Sequence, residues 1–288
     1  MPARQKLRVA YTPDSDDAFN YYAWEHGHIQ PDADYEVEFH RDHIAALNRS
    51  AQQELFDVVA VSSVVYPKLA DRYWILSAGN SVGRNFGPVL ASRDSSSVEQ
   101  LRGQRVAVGG KPTTGSTLAT FYCPGAELVE LQYDQIIDAV LRGEFAAGVM
   151  IHEEILLFRE KQLRCVCDLG QAWCAETGLP LPVGLNLVRK QLGLELAQQV
   201  AARCRRSLLW GLEHPEEAYN FASRFGRGKA KQHVGMFSNQ DTVSLPADVC
   251  RALTILFDRV AGLELGPRID SFEVVSGETV TTWQMGSP

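Results

Sequence analysis

His152 is the side chain of this 288-residue sequence best placed to move a proton. It follows the apolar run AAGVMI directly and begins HEEILLFRE, a segment of helical character. Imidazole titrates near ~6.5 and so exchanges a proton around neutrality. A helix N-terminus disfavours the imidazolium, which predicts a neutral His152 able to serve as a general base. A second polar group lies in Thr12-Pro13-Asp14-Ser15-Asp16-Asp17-Ala18-Phe19, where the β-like LRVAY passes into a helical pattern. Ser15, Asp16 and Asp17 exceed what a helix cap needs and are candidates for substrate binding at the end of a strand. A third turn, Gly109-Gly110-Lys111-Pro112-Thr113-Thr114-Gly115-Ser116-Thr117, also joins a strand to a helix. Backbone N–H groups and hydroxyls at a helix start favour an anion, so Thr113, Thr114, Gly115 and Ser116 are candidates for holding a carboxylate. Plain capping is the competing reading for both turns.

Other constellations carry less chemistry. The third turn is no nucleotide-binding P-loop, because Pro112 follows Gly-Lys where Ser or Thr is required. Gly79-Asn80-Ser81-Val82-Gly83 fits G-x-S-x-G, but Arg84-Asn85-Phe86-Gly87-Pro88 is loop chemistry where a hydrolase elbow needs a helix. His26, His28, His40 and His43 lack partners at metal-ligand spacing, and Cys165 and Cys167 form no CxxC. No metal is expected. Ser62 and Ser63 close the apolar run DVVAV at another strand end and join the substrate-binding candidates, as do Asn85 and Asn239.

Turns of this kind converge only if strands and helices alternate. They do: apolar strands such as DVVAV and AAGVMI are interleaved with TTGSTLATFY and YDQIIDAVLRGE, and the chain beyond Gly184 reads as mostly helical. This predicts an α/β fold of mostly parallel sheets covered by helices. GPVLASR and LPVGLNLVRK share a form and bracket a self-contained α/β block. They are expected to be paired crossings between two lobes, with the ligand cleft between them. Lobe 1 is then residues 1–90 plus 188–288, and lobe 2 is 91–187. A single doubly wound sheet is the alternative.

Composition narrows the partners. The charge of −7 and the lack of a basic run argue against nucleic acid. No apolar run approaches the ~18 residues of a membrane span, and MPARQKLRVAYTPDSDD does not read as a secretory leader. Six sparse, irregular cysteines read as free thiols of a cytoplasmic protein. The expected partner is a small-molecule carboxylate rather than a membrane, and a homodimer is left open.

Several blocks taken together resemble one family: RVAYTPDSDDAF, DVVAVSSVVY, SAGNSVGRNFGPVLASR, VGGKPTTGST, YDQIIDAVLRGEFAAGVMIHE, VCDLGQAW, TGLPLPVGLNLVRK and HVGMFSNQ. The chain looks like the menaquinone-biosynthesis family of periplasmic-binding-protein-like enzymes, in particular the 1,4-dihydroxy-6-naphthoate synthases of the futalosine route. That resemblance implies a two-lobed (type II) fold and no cofactor. It further implies a carbon–carbon lyase that converts cyclic dehypoxanthinyl futalosine to 1,4-dihydroxy-6-naphthoate, or a close relative acting on a related carboxylate. The family's proposed general base, the histidine of Ile-His-Glu, corresponds to His152, and its carboxylate-holding loop to Thr113-Thr114-Gly115-Ser116. The similar chorismate dehydratases usually show Gly-Asp where this chain has His152-Glu153. The first turn departs from the family's Ser-Pro-Cys-Pro-Asn-Asp-Thr-Phe and carries more negative charge. A solute-binding protein for a small anionic ligand, without turnover, shares the fold and is the alternative function.

Overall fold

The computed structural model describes residues 5–29 and 35–286. Among the described residues thirteen strands form two sheets. The larger contains β1 (Gln5–Tyr11), β2 (Tyr35–Arg41), β3 (Val58–Ser62), β4 (Tyr73–Leu76), β5 (Ser81–Gly83), β11 (Leu181–Arg189), β12 (Ser271–Val275) and β13 (Val280–Gln284). Its order is β13-β12-β4-β11-β3-β1-β2, with β5 pairing β11. The smaller sheet contains β6 (Val89–Ser92), β7 (Arg105–Val108), β8 (Glu127–Glu130), β9 (Ala147–Met150) and β10 (Arg164–Asp168), in the order β10-β6-β9-β7-β8.

The helices are α1 (Ser15–Glu25), α2 (Ile44–Gln52), α3 (Thr114–Tyr122), α4 (Ile136–Leu141), α5 (Glu154–Leu157), α6 (Leu169–Thr177), α7 (Leu194–Glu213), α8 (Pro215–Ala222), α9 (Ala230–Phe237), α10 (Gln240–Val243) and α11 (Ala247–Gly262). Pro215 opens α8, where its missing N–H has no intrahelical role.

Burial explains the strand types. All of β3 and β9 is buried, as continuous Val/Ala-rich strings predict for strands covered on both faces. In the smaller sheet, Leu90, Val106, Val108 and Val149 join the main core, while Val89, Ala91, Ala107 and Met150 pack in a second cluster with Ile136 and Val140 of α4. The alternation places helices on both faces of this sheet.

The sheets are more mixed than the expected mostly parallel ones. β11 runs antiparallel to β3 and β4, and β6 runs antiparallel to β9 and β10. These are the strands expected as crossings. Each instead lies within one sheet, directly after the link that enters it. The links are residues 84–88 and 178–180, so the expected limits at 90/91 and 187/188 fall inside β6 and β11. The first link is pressed onto the start of α6: a Cβ at Gly170 would lie 2.2 Å from Phe86 O, and Leu169 N–H donates to Pro88 O at 2.9 Å. Only glycine permits that approach. The second link begins at Gly178 (φ +69°), and Trp173 Nε1 donates to Pro180 O at 3.0 Å. The chain beyond Gly184 is mostly helical, α7 to α11, as expected, and adds the β12–β13 hairpin.

Candidate active site

A cavity lies between the sheets. Thr12, Asp16, Asp17, Ser62, Ser81, Asn186 and His233 line it from the larger lobe, and Thr113, Thr114, Gly115, Ile151 and His152 from the smaller. Ile44, Val61, Leu185 and Phe237 give it apolar walls. It thus pairs an apolar enclosure with a few convergent polar groups, the usual make-up of a small-molecule site.

His152 does not open a helix. Its φ is +53°, in the left-handed region, and the four-residue α5 begins two residues later with Glu153 at its N-cap. The helix-terminus argument for a neutral imidazole therefore fails, and a carboxylate from the other lobe takes over. Nδ1 of His152 stands 2.9 Å from Oδ2 of Asp14. Burial pushes the imidazolium down, but Asp14, Asp16 and Asp17 together outweigh it and hold His152 above its ordinary value. Burial likewise works against the Asp14 carboxylate, yet His152 brings it down to about 2. Nε2 of His152 is buried without a partner. Tyr133 packs edge-on against the imidazole, ring centroids 4.7 Å apart, and its hydroxyl donates to Asp14 Oδ1 at 3.3 Å. The arrangement sets one ring nitrogen at ion-pair distance from a carboxylate, whose Oδ2 has no hydrogen-bond partner, and leaves the other ring nitrogen unpartnered.

The remaining carboxylates of the first turn are differently placed. Asp17 accepts from the Thr12 N–H at 2.9 Å and the Thr12 hydroxyl at 2.6 Å. Asp16 accepts from the Ser81 hydroxyl at 3.4 Å and lies 3.6 Å from Nδ1 of His233. Burial pushes both carboxyls up, toward the neutral acid, and Asp14 beside Asp16 and Asp16 beside Asp17 add to it. Burial pushes His233 down to about 4, and the nearby His152 adds to that, so His233 is neutral at pH 7.

The carboxylate turn is a scaffold first. Thr113 and Ser116 form a capping box: the Thr113 oxygen accepts from Ser116 N–H at 3.2 Å, and the Ser116 oxygen from Thr113 N–H at 2.9 Å. The Thr114 hydroxyl donates to Val183 O of β11 at 2.6 Å, a tie between the lobes. The N–H groups of Thr114 and Gly115, the first two of α3, have no intrahelical acceptor, and both residues line the cavity. Ser62 complements them across the cavity. Its oxygen accepts from Asn48 Nδ2 at 3.1 Å, leaving its O–H to donate.

Of the other candidates, Ser15 is buried behind the cavity, donating to Glu153 at 2.7 Å. Ser63 is buried with an unpartnered hydroxyl and does not line the cavity. Asn85 is an exposed link residue at φ +63°. Asn239 caps α10, its oxygen accepting from Asp241 N–H at 2.9 Å. These four, with Ser116, support the site or stand outside it. Conversely, the sequence reading did not single out Asp14, Tyr133, Asn186 or His233. Asp14 carried the only signal, as one of three carboxylates in a turn already under suspicion. Ser81 of G-x-S-x-G opens a strand instead of a strand-to-helix elbow. Among the described residues no His, Cys, Asp and Glu group is arranged to hold a metal ion, and no helix is long and apolar enough to cross a membrane.

Comparison with known proteins places this architecture. Residues 7–262 match the family model described as menaquinone biosynthesis. The chain is 33% identical over 257 residues to a 1,4-dihydroxy-6-naphthoate synthase of Thermus thermophilus, covering 88% of this chain and 93% of that one. A crystal structure of a protein from Archaeoglobus fulgidus superposes with a TM-score of 0.86 at 38% identity, covering 90% of this chain and 98% of that one. The alkanesulfonate-binding protein SsuA of Xanthomonas axonopodis pv. citri, bound to MOPS, gives a TM-score of 0.71 at 14% identity over 92% and 96% of the two chains. That last likeness is one of fold, the two-lobed periplasmic-binding-protein architecture.

Proposed function

Since this chain belongs to the menaquinone-biosynthesis family, we propose that it is a cytoplasmic lyase converting cyclic dehypoxanthinyl futalosine to 1,4-dihydroxy-6-naphthoate without a cofactor. The observation that carries this reading is the Asp14–His152 pair at 2.9 Å, with His152 lining the cavity and its Nε2 buried without a partner. Making a hydroquinone ring from a non-aromatic precursor requires loss of a proton and of a sugar-derived fragment. Nε2 accepts a hydroxyl proton of the departing fragment, the oxygen left behind forms a carbonyl on that fragment, and the pair of the breaking carbon–carbon bond enters the forming ring system. Asp14 stabilises the imidazolium as it forms. The substrate carboxylate is held by the Thr114 and Gly115 N–H groups and the Ser62 hydroxyl, which fixes the ring system against the apolar walls. Asp16 and Asp17, being pushed toward neutrality, do not repel that anion as two full charges would.

A lyase and a binding protein share this fold, but a half-buried histidine paired with a buried carboxylate is equipment for proton transfer. Incubating purified protein with cyclic dehypoxanthinyl futalosine and following the naphthoate by absorbance tests the assignment.

A further inference from the structure

The two members of the proposed catalytic pair come from opposite lobes: Asp14 precedes α1 of the larger, and His152 follows β9 of the smaller. The pair therefore exists only when the lobes are shut. The next residue, Glu153, reaches the same way. Its side chain is 3% exposed. Oε1 accepts from the Ser15 hydroxyl at 2.7 Å, and Oε2 from the backbone N–H groups of Arg227 at 2.6 Å and Lys229 at 3.0 Å. All three donors belong to the larger lobe. Arg227 also pairs with Glu154, and its guanidinium lies 4.9 Å from the Tyr133 ring centroid, while Lys229 Nζ meets Glu160 at 2.5 Å. Gly226 makes room for this clasp, since a Cβ there would stand 2.5 Å from Glu153 Oε1.

We propose that Glu153 is a positioning residue: by clasping Ser15, Arg227 and Lys229 it shuts the lobes and sets His152 against Asp14. The inference rests on the reading of His152 as the base. Two observations support it beyond the contacts themselves. Several residues lining the cavity, among them Ser62, Thr114 and His233, are exposed 4% or less, so full access to them requires the lobes to part, and parting them breaks the clasp. His152 also holds a left-handed backbone conformation (φ +53°), which a non-glycine residue keeps only where its surroundings fix it. The adjoining Glu153 carboxylate, anchored at three points, does that in the closed state alone. Closure and assembly of the base are then one event, and an open enzyme is an inactive one.

The test compares full-length wild type with Glu153→Ala, Glu153→Gln and Gly226→Ala, each verified as folded by circular dichroism. Small-angle X-ray scattering of ligand-free protein reads lobe separation, and kcat with cyclic dehypoxanthinyl futalosine reads the placement of His152. Glu153→Ala and Gly226→Ala should both enlarge the radius of gyration and lower kcat on the order of 100-fold, the cost of ångström-scale misplacement of a reacting group. Glu153→Gln keeps an oxygen for the Arg227 and Lys229 N–H groups and should retain most of both properties. Unchanged scattering in both disruptive variants overturns the clasp, whatever happens to turnover. Wider lobes with wild-type kcat overturn its link to His152. If wild type itself does not turn this substrate over, the functional reading fails and the scattering comparison still decides the clasp.

Discussion

The imidazole of His152 and the carboxylate of Asp14 face each other across the interlobe cleft at 2.9 Å, although they are 138 positions apart in the chain. The contact makes His152 a stronger base than burial alone would leave it, and it makes the active form a property of both lobes together. Most of the chemistry follows from this one contact.

The pH profile of kcat/KM should report it. His152 accepts a proton only when neutral, and its value is raised, so activity should fall on the acid side through a limb lying above the ordinary histidine value. Asp14→Asn removes the largest charge holding the imidazolium, although Asp16 and Asp17 still face it. The limb should then move to lower pH while the plateau falls by at least ~10-fold, part of the ~10²–10⁴ a positioned base supplies. A limb unmoved in Asp14→Asn would detach Asp14 from the titration of His152.

The carboxylate anchor separates into binding and scaffold. Ser62→Ala deletes a hydroxyl free to donate, and bonds to charged groups are worth ~1.5–3 kcal/mol. Calorimetry with 1,4-dihydroxy-6-naphthoate should therefore show affinity reduced about 10- to 150-fold, with Asn48 still held through Pro112 O. Thr113→Ala breaks the capping box of α3 and should cost ~0.5–2 kcal/mol of stability, read as a lowered Tm, with a smaller loss of affinity. Equal affinity losses in the two variants would contradict the division.

Asp16 should be a stability liability at neutral and alkaline pH. Its carboxyl is held above its unfolded value, first by burial and then by Asp14. The wild type must therefore lose stability as pH rises from the unfolded value through the folded one, because ionisation is easier in the unfolded chain. Asp16→Asn removes that titration. Its Tm should match or trail the wild type at pH 4 and exceed it by a few degrees at pH 8. A gap independent of pH would show that the Asp16 carboxyl is not held above its unfolded value.

The sequence made the layering legible because its signals are local. Val-rich β3, the helical pattern of TTGSTLATFY and Pro215 after His214 each announce an element within a few residues. His152 and the three turns could also be located, since each sits at the end of an apolar strand. What stayed hidden depends on contacts between distant segments. Nothing near His152 announces Asp14, and the helical pattern of HEEILLFRE concealed a left-handed turn that tertiary contacts impose. The hydroxyls of Thr113 and Ser116 looked like ligand groups because composition does not reveal that they bond each other. β11 and β6 looked like crossings because residue pattern does not tell a link from the strand it feeds.

The most direct test of the account is turnover by wild type and His152→Asn, measured beside ligand binding. Purified wild type incubated with cyclic dehypoxanthinyl futalosine should release 1,4-dihydroxy-6-naphthoate, followed by absorbance. His152→Asn should bind the product within a few-fold of wild type, since the carboxylate anchor lies elsewhere, while turnover falls at least ~100-fold. Near-normal turnover in His152→Asn, or a wild type that binds the substrate and never releases the naphthoate, would contradict it.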